Sequence, residues 1–176
     1  MKRPVIAVSV LIVIIVYCVA AIPAQAPKAA AVDPSLATWV LNPQQSNFGG
    51  GPPPKAFIER YEMRQDGFIV STRTIVNSDG SPAFQQAVFK YDGKDYELWD
   101  NTSLAEFGAS GKRTPQKLSV KAIDANTVEY VGKNAGKVFV TGKRIVSKDG
   151  KTMTFTAKVF TPQGQSVDTV GVFDKQ

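Results

Sequence analysis

Apolar and polar side chains alternate through residues 152–161. Met153, Phe155, Ala157 and Val159 share one parity, and Thr152, Thr154, Thr156 and Lys158 share the other. A period of two belongs to a strand with one buried face and one wet face. Weaker forms of the pattern recur at 36–41 around Trp39, and at 56–64, 68–76, 82–91, 94–99, 117–123, 127–132, 138–146 and 167–173. Turn formers stand between them: Gln65-Asp66-Gly67, Asn77-Ser78-Asp79-Gly80, Asp92-Gly93, Asp124-Ala125-Asn126, Asn134-Ala135-Gly136, Lys148-Asp149-Gly150 and Pro162-Gln163-Gly164. These are hairpin signals at hairpin spacing. After residue 26 no segment keeps a helical period over three turns. The pattern predicts an all-β domain of about ten strands, a single antiparallel up-and-down β-barrel, because closing a meander removes its exposed edges. A two-sheet sandwich shares these signals and stays open as an alternative.

The chain opens differently. Lys2 and Arg3 precede an uncharged apolar run from Val5 to Ile22, broken by Pro23 and followed by Ala24-Gln25-Ala26. This is the three-part pattern of a secretory signal, so residues 1–26 are expected to form an N-terminal signal helix, 27–34 a linker and 35–176 the barrel. The run of 18 residues is also just long enough to span a bilayer if it stays uncleaved. In both cases the basic end holds the start of the chain inside, and the barrel lies outside the cytoplasm, periplasmic or secreted. Cys18 is the only cysteine, and it follows Tyr17 rather than the small residue that a lipid-modified cysteine needs. Cleavage after Ala26 leaves a domain with no disulfide and no thiolate ligand.

Charge and composition narrow the chemistry. Without Lys2 and Arg3, nineteen basic residues face fifteen acidic ones, scattered along the chain without a block. That is a solvated mixed surface, not the one-sided basic face of a nucleic-acid binder. The chain has no histidine. The commonest general base and metal ligand is therefore missing, and with it the usual nucleophile–histidine pairs. Asp92, Asp95, Glu97 and Asp100 are the acidic residues closest together, but carboxylates gather at turns for backbone reasons. We expect no enzyme, no metal site and no cofactor. Asn101-Thr102-Ser103 fits a glycosylation acceptor, a motif short enough to arise by chance.

Trp39-Val40-Leu41-Asn42-Pro43, Gly51-Pro52-Pro53-Pro54-Lys55, Tyr91-Asp92-Gly93-Lys94-Asp95-Tyr96, Ile123-Asp124-Ala125-Asn126-Thr127 and Val146-Ser147-Lys148-Asp149-Gly150 resemble a group of uncharacterised exported bacterial proteins. The layout is also similar to the calycins, the lipocalin and fatty-acid-binding barrels, in its first-strand tryptophan, its strand count and its last strand ending in Phe173-Asp174-Lys175. The resemblance implies a lipocalin-like barrel with Trp39 packed at its closed end. Fatty-acid-binding proteins hold a ligand carboxylate with two arginines and a tyrosine. Arg144 lies where the first arginine would, while Gly171 and Phe173 occupy the positions of the other two, so the implied clamp is incomplete.

Three side chains are candidate ligand-binding residues: Arg144, Arg73 and Tyr130. If Asp149-Gly150 closes a two-residue hairpin, Val138, Val140, Arg144 and Val146 share the face of Met153 and Phe155. If the loop holds one more residue, Phe139, Lys143 and Ile145 take that face. The first register places three valines inside and is preferred. An inward arginine needs a partner, because a lone buried charge is costly. The plainer readings are surface arginine stems lying on the sheet and a half-buried tyrosine. The exposed-aromatic candidate is Trp99, beside polar Asp100, Asn101 and Thr102.

The expected function is a non-catalytic, monomeric, extracytoplasmic binding protein for one small apolar or amphipathic ligand, touching a membrane only through its N-terminal segment if that is retained. The alternative is a structural or interaction module of the cell envelope whose interior its own side chains fill. Ala83, Ala87, Gly142, Ala157 and Gly171 favour a cavity, whereas Phe57, Phe68, Phe84, Phe89, Phe155 and Phe173 would fill it.

Overall fold

The computed structural model describes residues 33–100, 116–161 and 164–176, with Asp100 described by its backbone alone. The signal segment, most of the expected linker and Asn101-Thr102-Ser103 lie outside these residues. Ten strands follow one another: β1 (Thr38–Leu41), β2 (Ala56–Met63), β3 (Ile69–Val76), β4 (Pro82–Phe89), β5 (Asp92–Asp100), β6 (Gln116–Ala122), β7 (Thr127–Asn134), β8 (Lys137–Val146), β9 (Thr152–Phe160) and β10 (Ser166–Lys175). Each pairs antiparallel with the next, and β10 returns to β1 to close the ring. The molecule is a closed up-and-down barrel, compatible with a calycin-like fold, and the sandwich alternative is excluded.

Alternation along each strand sends one parity into the barrel. Trp39, Tyr61, Ile69, Phe89, Val146, Met153 and Phe173 are buried there. The β8–β9 register pairs Val146 with Met153 and Arg144 with Phe155, which puts Arg144 on the inner face. The turn is longer than two residues: Ser147 N–H donates to Thr152 O at 2.8 Å, and Gly150, at φ 69°, donates back to Ser147 O. The excess over a two-residue loop is an even number, so the faces keep their parity.

A bulge changes one detail. The β7–β8 ladder steps from Gly132↔Val140 to Lys133↔Val138, leaving Phe139 as the extra residue. A bulge re-aims side chains. Here Phe139 packs against the core while Val138 is exposed, so Val138 is not an inward residue. Two of the phenylalanines expected to fill the interior also lie elsewhere. Phe84 is exposed, and Phe68 packs edge-on against Tyr96 beneath Lys90, on the opposite parity from buried Ile69. Strands β4 and β5 pair only from Gln85↔Asp100 to Ala87↔Leu98.

The segment before β1 packs against one end of the barrel. Ser35 is buried, its carbonyl accepts from Trp39 Nε1 at 2.8 Å, and Leu36 and Ala37 lie against the core. Asp33 accepts from Ser35 and from the Tyr91 hydroxyl. Its side chain, within the expected linker, is thus tied to the barrel.

Candidate functional site

The interior polar cluster begins at the β2–β3 hairpin. Residues 57, 59, 61 and 63 of β2 share a parity, three of them Phe57, Tyr61 and Met63, and Glu59 sits among them. Glu59 is 0% exposed. Directly opposite it on β3 is Arg73, and opposite Tyr61 is Ser71. Arg73 Nε donates to Glu59 Oε1 at 2.9 Å, Ser71 Oγ donates to the same oxygen at 3.3 Å, and the Tyr61 hydroxyl makes a third, short bond to it. Glu59 Oε2 has no hydrogen-bond partner. One carboxylate oxygen is thus saturated while its twin is bare.

Arg73 reaches further along the barrel. Its Nη1 donates to Gln85 Oε1 at 3.4 Å and its guanidinium lies over the Phe155 ring at 5.2 Å. Burial alone would lower its pKa. The Glu59 charge and hydrogen bond, with Tyr61 and Tyr130 beside them, together outweigh that and hold the guanidinium firmly protonated.

Arg144 is 4% exposed. Its guanidinium lies 4.4 Å from the Tyr61 ring and 5.3 Å from the Tyr91 ring, and Nη2 donates to the Tyr91 hydroxyl at 2.7 Å. Tyr91 in turn donates to Asp33 Oδ2 at 2.7 Å. Asp33 is therefore reached through a phenol. Among the described residues Arg144 forms no direct ion pair with a carboxylate. Stacking on two aromatic faces and a bond to a polarised phenol are what compensate its charge.

Tyr130 lies across the inner surface of β8. Gly142 is directly opposite it, and the missing side chain leaves room for the ring, whose hydroxyl donates to Thr156 O at 3.1 Å. A Cβ on Gly142 would stand 2.0 Å from Thr156 O and 2.6 Å from the Tyr130 hydroxyl. The first obstacle is backbone and cannot rotate away. Gly142→Ala is therefore expected to cost about 1–3 kcal/mol through overpacking, read from the urea midpoint at unchanged slope. A neutral outcome would mean that β8 and β9 separate freely here.

Burial pushes the phenols up: first desolvation, then the Glu59 charge for Tyr61, and desolvation for Tyr91 and for Tyr130, the last to about 12. The unfolded chain releases these protons near pH 10. The neutral phenols thus contribute stability that is fully present below about pH 10 and is lost as pH rises towards and through their folded values. Phenolate absorbance should lag in the native protein relative to the urea-unfolded chain, and the urea midpoint should fall between pH 9 and pH 11. Coincident phenolate curves in the two states would contradict this.

Among the described residues, the space inside the wall includes two compartments. One, of about 70 Å³, is bordered by Tyr61, Ser71, Arg73, Tyr130, Arg144 and apolar neighbours such as Leu118 and Val140. The other, of about 220 Å³, is lined by Phe57, Glu59, Phe139, Phe155, Val159 and Phe173, and also by Arg73 and Tyr130. All three candidate residues, Arg144, Arg73 and Tyr130, border this lumen, and Arg73 and Tyr130 face both compartments. The implied clamp positions Gly171 and Phe173 border the larger one without polar side chains. Edge-to-face contacts link Phe57, Phe173, Phe155 and Tyr130 with centroids 5.0, 5.7 and 5.9 Å apart.

Compared by sequence, the chain matches no protein-family model and no curated protein. The reading of the site rests on its own geometry.

Among the described side chains of β5, Asp92, Asp95 and Glu97 do not converge. Asp95 pairs with Lys133, Glu97 pairs with Lys117, and Asp92 accepts from Lys94 N–H and the Tyr96 hydroxyl. These are exposed pairs of small energetic weight. Among the described residues no three His, Cys, Asp or Glu side chains are grouped to hold a metal. Trp99 is exposed on the outer face, opposite Gln86.

Glu59, Tyr61, Ser71 and Tyr91 are the site residues that the sequence reading missed. A signal for the first three was present. Counting back from the Gln65-Asp66-Gly67 turn pairs Met63 with Ile69, Tyr61 with Ser71 and Glu59 with Arg73. A charge standing among Phe57, Tyr61 and Met63, with an opposite charge directly across the hairpin, marks an inward ion pair.

Proposed function

We propose that this protein is an exported, lipocalin-like binding protein that takes up one small amphipathic molecule in its barrel, without catalysis and as a monomer. The observation that carries the reading is the lumen: a closed barrel that keeps cavity space bordered by aromatic and aliphatic side chains together with Arg73, Arg144, Tyr130 and Glu59. An apolar pocket with a few convergent polar groups is the usual form of a small-molecule site. A folding-only role is a poor reason for these polar groups, because a buried ion pair is at best weakly stabilising relative to apolar packing.

A second reading has its own support. The aromatic chain from Phe57 to Tyr130 occupies much of the interior, and both cavities are small beside common ligand pockets. On that reading the barrel is a filled interaction module of the cell envelope. Native mass spectrometry of protein purified gently from its own host, followed by organic extraction, separates the two. The binding reading expects a bound small amphipathic molecule. Clean apo protein in every preparation favours the filled module.

A further inference from the structure

Resting on the binding reading above, we propose that the molecule the lumen selects carries a neutral hydrogen-bond donor, an alcohol-type hydroxyl, and delivers it to Glu59 Oε2.

The saturated oxygen and the bare one are the starting point. Glu59 Oε1 accepts from Tyr61, Ser71 and Arg73, while Oε2 is buried and has no partner. A buried acceptor left unpaired costs about 1–3 kcal/mol, and that cost is recovered when a donor arrives. Glu59 forms part of the wall of the larger cavity, so a donor brought in with a ligand comes within its reach.

The head group follows from what each chemistry offers. A carboxylate head only accepts hydrogen bonds. It leaves Oε2 bare and sets a second negative charge beside it in a site of low dielectric. An ammonium head donates, but it must enter a cavity that Arg73 also lines, where like charges repel at close range. A hydroxyl donates one hydrogen and keeps two lone pairs. It satisfies Oε2 and at the same time accepts from the Arg73 guanidinium, a fork of five N–H donors of which Nε and Nη1 already serve Glu59 and Gln85. The apolar remainder lies against Phe57, Phe155, Phe173 and Val159. The cavity volume of about 220 Å³ is roughly the liquid volume of seven waters, which suits a short aliphatic or single-ring alcohol.

The test is calorimetric titration of the full-length protein with 1-octanol, octanoate and octylammonium at neutral pH. The expected order places 1-octanol at least tenfold tighter than both ions. In the Glu59→Gln variant, whose side-chain oxygen accepts more weakly, that preference over octanoate should shrink at least several-fold. Circular dichroism and the urea midpoint establish whether the variant is folded. Should it not be, 1-octyl methyl ether, which has the oxygen but no hydrogen to donate, replaces it on the wild-type protein and should bind at least tenfold more weakly than 1-octanol. Octanoate or octylammonium binding as tightly as 1-octanol, or the ether binding equally, overturns the hydroxyl assignment and leaves the binding reading in place. Failure of all four probes overturns both.

Discussion

Replacing Arg73 with methionine is expected to lower the unfolding free energy by about 3–5 kcal/mol, the cost of stripping a buried ion of its partner. Glu59 is 0% exposed and Arg73 is the guanidinium bonded to it, while the Arg73 side chain itself is 30% exposed. The two ends of the pair are therefore not equivalent. Removing Arg73 strands a negative charge that water does not reach. Changing Glu59 to glutamine leaves a guanidinium that can lean towards solvent, and the amide oxygen still accepts from Tyr61, Ser71 and Arg73. That variant is expected to lose about 1.5–3 kcal/mol, the worth of a charge-assisted bond. The double variant Arg73→Met/Glu59→Gln should cost less than the two singles together, with a coupling of about 0.5–3 kcal/mol. Urea unfolding of the four proteins at equal slope measures all of this. Equal losses for the two single variants would show that the carboxylate is solvated by something other than Arg73.

This asymmetry bears on function as well as stability. A protein that needed only a stable barrel would gain by filling the space around residues 59 and 73 with aliphatic side chains, because apolar replacement of a buried pair is often neutral or favourable. The lumen instead keeps two guanidiniums, one carboxylate and the phenols of Tyr61, Tyr91 and Tyr130 near one another. The aromatic faces hold the cations in place without neutralising them, so the cluster stays polar towards the cavity.

The strands were legible because their signals are local. Asp-Gly and Asn/Gly turns cut the chain into pieces of nearly constant length, and parity within each piece identified the wet face, best in Thr152–Phe160. The same counting placed Arg144 inside, since the real turn differs from a two-residue hairpin by an even number. Phe139 was misplaced because a bulge adds one residue with no sequence mark of its own; the only hint is Gly132, where a Cβ would meet the Phe139 ring at 2.8 Å. Phe84 was misplaced because apolar side chains also stand on outer faces, where no rule of burial marks them. The Arg144–Tyr91–Asp33 chain was out of reach for another reason. It joins residues 53 and 58 positions apart, through a turn and a segment that read as linker. Only closure of the barrel brings them together.

That closure depends on a short piece of chain, and the second large effect is expected there. Strand β1 has four residues and pairs over three positions with each neighbour, yet it joins the last strand to the second and completes the ring. Trp39 compensates for the brevity. Its ring is 0% exposed, its Nε1 holds the Ser35 carbonyl, and Lys175 of β10 lies over its face at 5.7 Å. Trp39→Ala should lose about 3–5 kcal/mol by the cavity it leaves, with the melting temperature falling by about 2–4 °C for each kcal/mol in a chain of this size. Trp39→Phe keeps most of the volume but leaves the Ser35 carbonyl unpaired, and should lose about 1–3 kcal/mol. The damage should also travel inwards. Freeing Ser35 loosens Asp33, Asp33 fixes the Tyr91 hydroxyl, and that hydroxyl is the hydrogen-bond partner of Arg144. Hydrogen exchange should therefore speed up at the Tyr61 amide, bonded to Ala37 O, and at the Val146 amide near Arg144, bonded to Asn126 O, more than at the β3–β4 ladder. Uniform acceleration across all ten strands would mean that Trp39 sets global stability alone, and that the closed end and the polar lumen are not coupled through it.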